Sequence, residues 1–131
     1  LRTLAETAAE RGKLHLALEL PQKQPALALD VEQCIYRVAQ EALENVLTHA
    51  NAQNLAVRME LQGEEVCLTV QDDGLGLDLE QAKQVGHYGL AGMRERAELA
   101  GGQMEIDSQP GKGTSVRLRL NGMGRHANHH L

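Results

Sequence analysis

Hydrophobic and polar residues alternate with two different periods along the 131 residues of this chain. A period of two is typical of a half-buried strand. It predicts strands over residues 14–20, 55–62, 66–71, 103–107 and 114–120. A period near 3.6 is typical of an amphipathic helix. It predicts helices over residues 1–12, 31–50 and 90–100, with Asp30 as the N-cap of the second helix.

The order of these elements predicts an α+β fold. Helices and strands follow one another as α-β-α-β-β-loop-α-β-β, and short turns join the strands of each predicted hairpin. This order implies a two-layer α/β sandwich, in which a mixed, mostly antiparallel sheet carries the helices on one face. The polar, glycine-rich residues 72–89 are expected to form a long loop.

The chain begins with Leu rather than Met and is expected to be part of a longer protein. We expect one domain over residues 14–121, because a chain of this length and composition buries a single core. Residues 1–13 are expected to be a helix or linker from a preceding segment. The Gly- and His-rich residues 122–131 are expected to be a disordered tail.

Composition narrows the classes of function. There is no Phe and no Trp among the residues, so the core must be aliphatic. The formal net charge of -5 argues against nucleic acid as a main partner. Backbone amides, local cations or a metal must therefore hold any bound anion. Cys34 and Cys67 lack CxxC spacing and are expected to be free, buried thiols in a reducing compartment. No membrane span or signal peptide is visible.

The second predicted helix carries a polar stripe opposite its apolar one. Glu41, Asn45 and Thr48 lie at positions i, i+4 and i+7, so they share one face. A carboxylate beside an amide oxygen suits a hard cation such as Mg²⁺ and a polarised water or hydroxyl. The alternative is an ordinary solvated helix face.

Three glycine-containing segments add further candidate chemistry. "DDGLG" directly follows a strand, where Asp72 can accept a hydrogen bond from an amine of a ligand. "GHYGLAGM" leads into the third helix, whose N-terminal amides and dipole favour an anion such as phosphate. "PGKGT" precedes the last strand. Each segment, taken alone, is also compatible with a plain turn.

The order of these motifs is more specific than any one of them. E-x-x-x-N on a helix, D-x-G-x-G after a strand, a glycine-rich segment entering a helix and G-x-G-T before a strand occur in series. This series resembles the ATP-binding catalytic domain of sensor histidine kinases, which has the Bergerat ATP-binding fold. Type II topoisomerases, a heat-shock chaperone and mismatch-repair ATPases share that fold. "VAQEALENVLTHA" and "GLAGMRERAELAGGQMEIDSQPGKGT" are similar to the kinase subfamily that pairs with helix-turn-helix response regulators, and "HYGL" to its nitrate/nitrite sensors.

The resemblance implies a role for each matching residue in the first half of the site. Glu41 stands at the polar, base-like position of the family and is the implied catalytic residue. Asn45 stands at the Mg²⁺ ligand. Asp72 stands at the aspartate that recognises the adenine amine, and Gly74 and Gly76 shape the turn that carries it.

The second half of the site is implied in the same way. Gly89 and the amides of Leu90 and Ala91 stand at the phosphate-binding lid. Thr114 matches the threonine near the adenine pocket.

The chain departs from the family pattern at two positions. The family often has Lys-His after the Asn, whereas this chain has Thr48 and His49, so phosphate binding is expected to depend more on Mg²⁺ and His49. His87 occupies the place of the first lid glycine. His87 and Tyr88 are either lid contacts or exposed loop residues.

The resemblance also implies the partners and the setting. No His of this chain lies in a phosphoacceptor context, so the chain is expected to be a catalytic module that binds ATP and Mg²⁺ but does not phosphorylate itself. Its partners would be its own dimerisation and phosphoacceptor domain and, indirectly, a response regulator. The isolated chain is expected to be a monomer. The parent is expected to be a homodimer anchored in the inner membrane, with this domain on the cytoplasmic side. The competing interpretations are an ATPase of the same superfamily, an anti-sigma serine kinase and a degenerate domain that only binds partners.

Overall fold

A computed structural model describes residues 1–78, 80 and 87–124 of the chain, without the side chain of His87. Three α-helices are present among these residues: α1 (Arg2–Gly12), α2 (Leu29–Asn45) and α3 (Leu90–Leu99). A turn of π-helix (Val46–Ala50) continues α2, and a 3₁₀ turn (His87–Gly89) precedes α3. The strands are β1 (His15–Glu19), β2 (Asn54–Gln62), β3 (Glu65–Asp72), β4 (Gln103–Gln109) and β5 (Gly113–Asn121). Every predicted helix and strand is therefore found within a few residues of its expected place.

The five strands form one sheet in the order β1-β2-β3-β5-β4. β1 pairs with β2 in parallel, and every other pair is antiparallel. This confirms the predicted mixed, mostly antiparallel sheet. In the pairing of β3 with β5, Asp72 lies opposite Thr114. The end of β3 and the start of β5 thus bring two of the predicted site residues side by side.

One face of the sheet and the helices enclose the core. Alternate strand residues are fully buried, as the period of two requires: Leu55, Val57, Val66, Leu68, Val70, Val116, Leu118 and Leu120. The apolar stripe of α2 packs against this face, and so do three alanines of α1. The opposite face of the sheet is exposed and charged, with Arg58 paired to Glu19 at 2.9 Å. The core is aliphatic, as the lack of Phe and Trp demands.

The expected N-cap of α2 was wrong. The helix begins at Leu29, and its N-cap is Ala28, whose carbonyl oxygen accepts the N–H groups of Val31 and Glu32. Asp30 lies inside the first turn instead, where its charge favours the positive end of the helix dipole. Its carboxylate contributes to the helix through charge rather than through capping.

Two expectations concern the ends of the chain. Residues 122–124, which the sequence assigns to the tail, form a turn: Gly122 donates to Glu64 and accepts from Ala28. Residues 125–131 lie outside the described part, as do residue 79 and residues 81–86 of the predicted loop. The boundary at residue 13 stays a prediction, although Ala5, Ala8 and Ala9 of α1 are buried in the core. Among the described residues, no helix combines the length and the apolar character needed to span a bilayer.

The two cysteines differ in environment. Both thiols are free, as expected. Cys34 is buried, and burial raises the pKa of its thiol. Cys67 is only half-buried because it faces the open side of the sheet, so the expectation of two buried thiols holds for Cys34 alone.

Candidate functional site

Asp72 is the last residue of β3 and has a buried side chain, only 6% exposed. Its Oδ1 accepts the N–H of Gly74 at 2.8 Å, which closes a tight turn directly after the strand. Burial raises the pKa of the Asp72 carboxyl above the ordinary value, and backbone hydrogen bonds from Gly74 and Thr114 oppose that rise. A buried carboxylate with capacity to accept more hydrogen bonds is suited to a ligand amine.

A hydroxyl pair lies next to this carboxylate. Ser108 of β4 and Thr114 of β5 are both buried, and their side-chain oxygens are 2.9 Å apart. Ser108 Oγ also accepts the N–H of Leu77 at 2.7 Å. These bonds join the loop after β3 to the β4–β5 hairpin, and they fix the orientation of Thr114.

Helix α2 supplies the wall that faces these strand ends. A small cavity of about 10 Å³ lies between them. Its lining includes Asn45 of α2, Asp72 of β3 and Thr114 of β5, together with apolar residues: Ala42, Val46, Ala50, Val70, Leu77 and Val116. Three residues predicted from separate motifs therefore line one cavity.

A close backbone contact joins the end of α2 to the turn that carries Asp72. The carbonyl oxygen of Ala50 accepts the N–H of Leu75 at 2.7 Å. A Cβ added to Gly74 would lie 2.7 Å from the Ala50 carbonyl carbon and closer still to its oxygen. Only glycine leaves room for this approach. Gly76, the second predicted glycine of the turn, lies against the Gln109 backbone of the β4–β5 hairpin.

Glu41 and Gly89 meet at the N-terminus of α3. Gly89 is the N-cap of α3 with φ of 68°, a left-handed conformation that favours glycine. A Cβ there would lie 2.6 Å from Cδ of Glu41, so the exposed carboxylate runs alongside Gly89. No side chain of the described residues caps α3. Leu90 and Ala91 lie in its first turn, where a helix places backbone amides that an anion can contact.

The 3₁₀ turn before α3 contacts the end of α2. Asn45 Nδ2 donates to the carbonyl oxygen of Tyr88 at 2.7 Å. The rings of His49 and Tyr88 meet edge to face, with centroids 4.8 Å apart. His87 lies in the same turn, and its predicted lid contact concerns a side chain outside the described atoms. Thr48 lies in the π-helical turn with an exposed side chain.

Two contributors were missed in the sequence. Ser108 lies opposite Thr114 in the β4–β5 pairing, so the predicted hairpin around "SQPGKG" could have identified it. The second is Asp73, since only its neighbour Asp72 was predicted to have a role. The Asp73 carboxylate accepts hydrogen bonds from the backbones of Gln53 and Asn54 and from the Asn54 side chain, at 2.7–2.9 Å. Nothing in the dipeptide "DD" indicates which carboxylate turns inward.

A much larger cleft of about 870 Å³ lies elsewhere, at the start of α2 and the end of α3. Leu29, Tyr36, Arg96 and Leu99 are among its lining residues, and none of the predicted site residues is. The larger cleft and the cavity lined by the predicted site residues therefore lie in different places. The convergence of Asn45 with strand-end polar groups favours the smaller cavity as the site.

The fold and this convergence define a class of ATPase domain. Residues 30–122 match the family described as "Histidine kinase-, DNA gyrase B-, and HSP90-like ATPase". The match covers well over half of the chain, so the chain belongs to this ATP-binding family. The expected resemblance is confirmed at the level of the family and the fold.

Within this family the relatives are sensor histidine kinases. The chain is 36% identical over 110 residues to the signal transduction histidine-protein kinase/phosphatase DegS of Bacillus subtilis, covering 82% of this chain and 29% of DegS. It is 34% identical over 128 residues to the sensor histidine kinase LiaS of the same organism, covering 90% of this chain and 35% of LiaS. The chain thus spans about a third of the length of these relatives.

Solved structures show the same fold. The histidine kinase domain from the blue-light activated histidine kinase of Erythrobacter litoralis superposes with a TM-score of 0.73 at 16% identity. The superposition covers 92% of this chain and 60% of that one. At this identity the likeness establishes the fold alone, and the roles of individual residues depend on the geometry described above.

Proposed function

We propose that this chain is the catalytic ATP-binding module of a two-component sensor histidine kinase and that it binds ATP with Mg²⁺. The observation that carries the proposal is the cavity shared by Asn45, Asp72 and Thr114. Their sequence motifs each imply one part of a nucleotide site, and three different elements bring them together. Family membership supports ATP as the nucleotide.

The adenine base is proposed to enter between α2 and the ends of β3 and β5. Asp72 would accept a hydrogen bond from the exocyclic amine of adenine, next to Thr114. The apolar lining, which includes Val46, Leu77 and Val116, suits the faces of the base. The cavity holds only about 10 Å³, roughly the space of one water molecule. Entry of the base therefore requires a movement, and Leu77, which lies in the loop after β3, is the lining residue best placed to make it.

The phosphates are proposed to lie at the N-terminus of α3. The amides of Leu90 and Ala91 and the helix dipole favour negative charge there. Bound Mg²⁺ would neutralise charge on the phosphates. Asn45 fits a magnesium ligand, because its nitrogen is committed to Tyr88 and its Oδ1 remains to face the ion. Magnesium commonly takes one or two protein oxygens, with phosphate and water oxygens as its other ligands.

The proposed reaction is in-line transfer of the γ-phosphoryl group to a His on the dimerisation and phosphoacceptor domain, outside this chain. A bond forms between the imidazole nitrogen and Pγ, the bond from Pγ to the β–γ bridging oxygen breaks, and ADP leaves. Glu41 lies beside Gly89 at the phosphate end and is exposed, so it can accept the imidazole proton. Positioning and charge neutralisation would supply most of the rate enhancement.

The partners are proposed on the same basis. Similarity to the histidine kinases DegS and LiaS supports a phosphoacceptor domain in the parent protein and a response regulator downstream of it. We propose that the parent is a homodimer anchored in the inner membrane, with this domain on the cytoplasmic side, and that the isolated chain is a monomer. Nucleic acid is not a proposed ligand, since the chain carries a net charge of -5.

Substitution of Asp72 tests the nucleotide site. Asp72→Asn keeps an oxygen for the Gly74 amide but removes the charged acceptor proposed for adenine. A hydrogen bond to a charged group contributes about 1.5–3 kcal/mol, so ATP affinity should fall roughly 10- to 150-fold in titration calorimetry. Urea unfolding without nucleotide measures any separate change in stability, because Asn has one accepting oxygen where Asp72 accepts backbone hydrogen bonds from Gly74 and Thr114.

The matched control is Asp107→Asn, an exposed carboxylate on β4 outside the site. It should bind ATP like the wild type. Equal ATP affinity of Asp72→Asn and wild type would remove Asp72 from the adenine site. Absence of any heat or thermal shift with millimolar ATP and Mg²⁺ in the wild type would refute nucleotide binding altogether, because binding at 100 times Kd should add about 2.7 kcal/mol of stability.

A further inference from the structure

The residue before the N-cap of α3 has an unusual backbone conformation. Tyr88 has φ of 58° and ψ of 3°, a left-handed conformation that a side chain with a Cβ rarely adopts. It adjoins Gly89, which has a similar conformation at no steric cost. A strained aromatic residue at a candidate site needs surrounding contacts that hold it in place.

Among the described residues, Asn45 at the end of α2 and His49 in the π-helical turn that continues it both contact Tyr88. Its carbonyl oxygen accepts the side-chain N–H of Asn45 at 2.7 Å. Its ring meets the ring of His49 at 86°, with centroids 4.8 Å apart. Asn45 and His49 are four residues apart, so they lie on one face of the helical segment. Asn45 contacts the backbone of Tyr88, and His49 contacts its side chain.

The first contact fixes the orientation of the Asn45 amide. A carbonyl oxygen only accepts hydrogen bonds, so the amide nitrogen of Asn45 must face Tyr88. The amide group is planar, so Oδ1 points away from that bond. Asn45 is half-buried at the edge of the cavity that Asp72 and Thr114 line. Its oxygen is therefore oriented before any ion arrives.

We propose that Tyr88 is a positioning residue for the metal: supported by the ring of His49, its carbonyl fixes the Asn45 amide so that Oδ1 is preorganised for Mg²⁺. This rests on the proposed function, in which Asn45 binds the ion. Removal of a group that hydrogen-bonds to a metal ligand and orients it typically lowers metal affinity by about 10- to 100-fold. Tyr88 acts through its backbone, and the His49–Tyr88 ring contact keeps that backbone in its left-handed conformation.

The test compares ATP affinity with Mg²⁺ and with EDTA by titration calorimetry, on the 131-residue chain. Tyr88→Ala and His49→Ala should each reduce the gain in affinity that Mg²⁺ provides by about 10-fold, with the affinity of each variant in EDTA as its own reference. The double variant should lose no more than either single variant, because both changes remove the same contact. Tyr88→Phe keeps the ring and should retain the gain. Tyr88→Gly, whose backbone adopts a positive φ without strain, should lose less of the gain than Tyr88→Ala.

Matched controls have the same side chains outside the site. Tyr36→Ala removes an exposed tyrosine near the start of α2, and His15→Ala removes an exposed histidine on β1. Both should keep the full gain from Mg²⁺. A gain that survives in Tyr88→Ala and His49→Ala, or losses that add up in the double variant, would overturn the positioning role.

A second measurement needs no nucleotide. In the ¹H–¹⁵N spectrum of the free protein, the Asn45 side-chain amide should show a shifted, slowly exchanging proton that returns to the position of a solvated amide in Tyr88→Ala. An Asn45 signal that is identical in the two proteins would refute the orientation. A wild type that shows this signal but binds ATP without any effect of Mg²⁺ would confirm the contact, refute its role toward the metal and refute Asn45 as a ligand. Absence of all ATP binding would instead refute the proposed function.

Discussion

The contact between Gly74 and Ala50 predicts opposite effects for two glycine-to-alanine substitutions. In Gly74→Ala the new methyl group would lie 2.7 Å from the Ala50 carbonyl carbon and closer to its oxygen. Real Cβ atoms essentially never come nearer than 3.0 Å to such neighbours, and both sides of the clash are backbone. Either the end of α2 or the turn that carries Asp72 must move.

The cost can be worked out from these contacts. Overpacking of this kind costs about 1–3 kcal/mol. Movement of the turn also breaks the hydrogen bond from Leu75 to Ala50, worth about 1 kcal/mol net. Alanine restricts the unfolded chain more than glycine does, which offsets about 0.4–1 kcal/mol of this cost. The free energy of unfolding should therefore fall by about 1–3.5 kcal/mol in Gly74→Ala.

Gly92→Ala is the matched control. Gly92 is exposed inside α3, and an added Cβ would meet nothing within 4 Å. Alanine is favoured over glycine in a helix by about 1 kcal/mol, so this variant should be more stable than the wild type. Urea unfolding followed by circular dichroism measures both free energies, and for a chain of this size Tm in a thermal scan should fall by roughly 3–18 °C in Gly74→Ala. A free energy of unfolding for Gly74→Ala within about 0.5 kcal/mol of the wild type, a typical value for an unconstrained surface substitution, would refute the steric argument.

Two further substitutions test the polar contacts around the site. Ser108→Ala should lower the free energy of unfolding by about 1–3 kcal/mol, because the buried N–H of Leu77 and the hydroxyl of Thr114 each lose a partner; urea unfolding with less than about 0.5 kcal/mol of change would contradict this. Asp73→Asn should cost about 1 kcal/mol at pH 7, a small figure because the carboxylate is exposed and screened by solvent. Hydrogen bonds from Asn54 hold the pKa of Asp73 below the ordinary 3.8, so this contribution is complete above that value and is lost as pH falls through the lower folded value. In Tm measured against pH, the gap between wild type and Asp73→Asn should close in acid, and a gap that widens there would contradict the assignment.

The period of the apolar residues predicted the fold well because it reports burial directly. Val57, Leu68 and Leu118 lie on three neighbouring strands, and each is at most 1% exposed. Each belongs to a run of strict alternation, and alternation is what a sheet with one covered face requires. Secondary structure and sheet class follow from such runs without any knowledge of the partner strands.

At the start of α2, tertiary contacts override the local capping preference of the sequence. Asp30 has the side chain of a good N-cap, yet the helix begins earlier, after Ala28. The N–H of Ala28 donates to the carbonyl of Gly122 at 2.9 Å, so a residue near the other end of the described chain fixes the backbone there. No window of sequence around Asp30 contains that information.

The sequence predicts the spacing of the candidate site residues along a helix but not the backbone conformation of the turn that they contact. Glu41 and Asn45 lie within the regular part of α2, so the helical period places them on one face. Tyr88 has a conformation that its residue type disfavours, and its contacts with Asn45 and His49 come from residues far away in the sequence. Ser108 could be placed beside Thr114 only from the register of the β4–β5 hairpin, which the prediction of a hairpin alone does not give.

The π-helical turn after Asn45 explains how the site is held together. The last carbonyl groups of a helix lack partners within it, and the carbonyl of Ala50 uses that freedom to accept the N–H of Leu75. One backbone bond thus connects the helix that carries Asn45 to the turn that follows Asp72. The residues that line the small cavity include no Lys or Arg within the described part of the chain. In a protein with a net charge of -5, the proposed nucleotide would then depend on oriented backbone amides and on the proposed metal. Displacement of that backbone should weaken nucleotide binding more than loss of any surface charge.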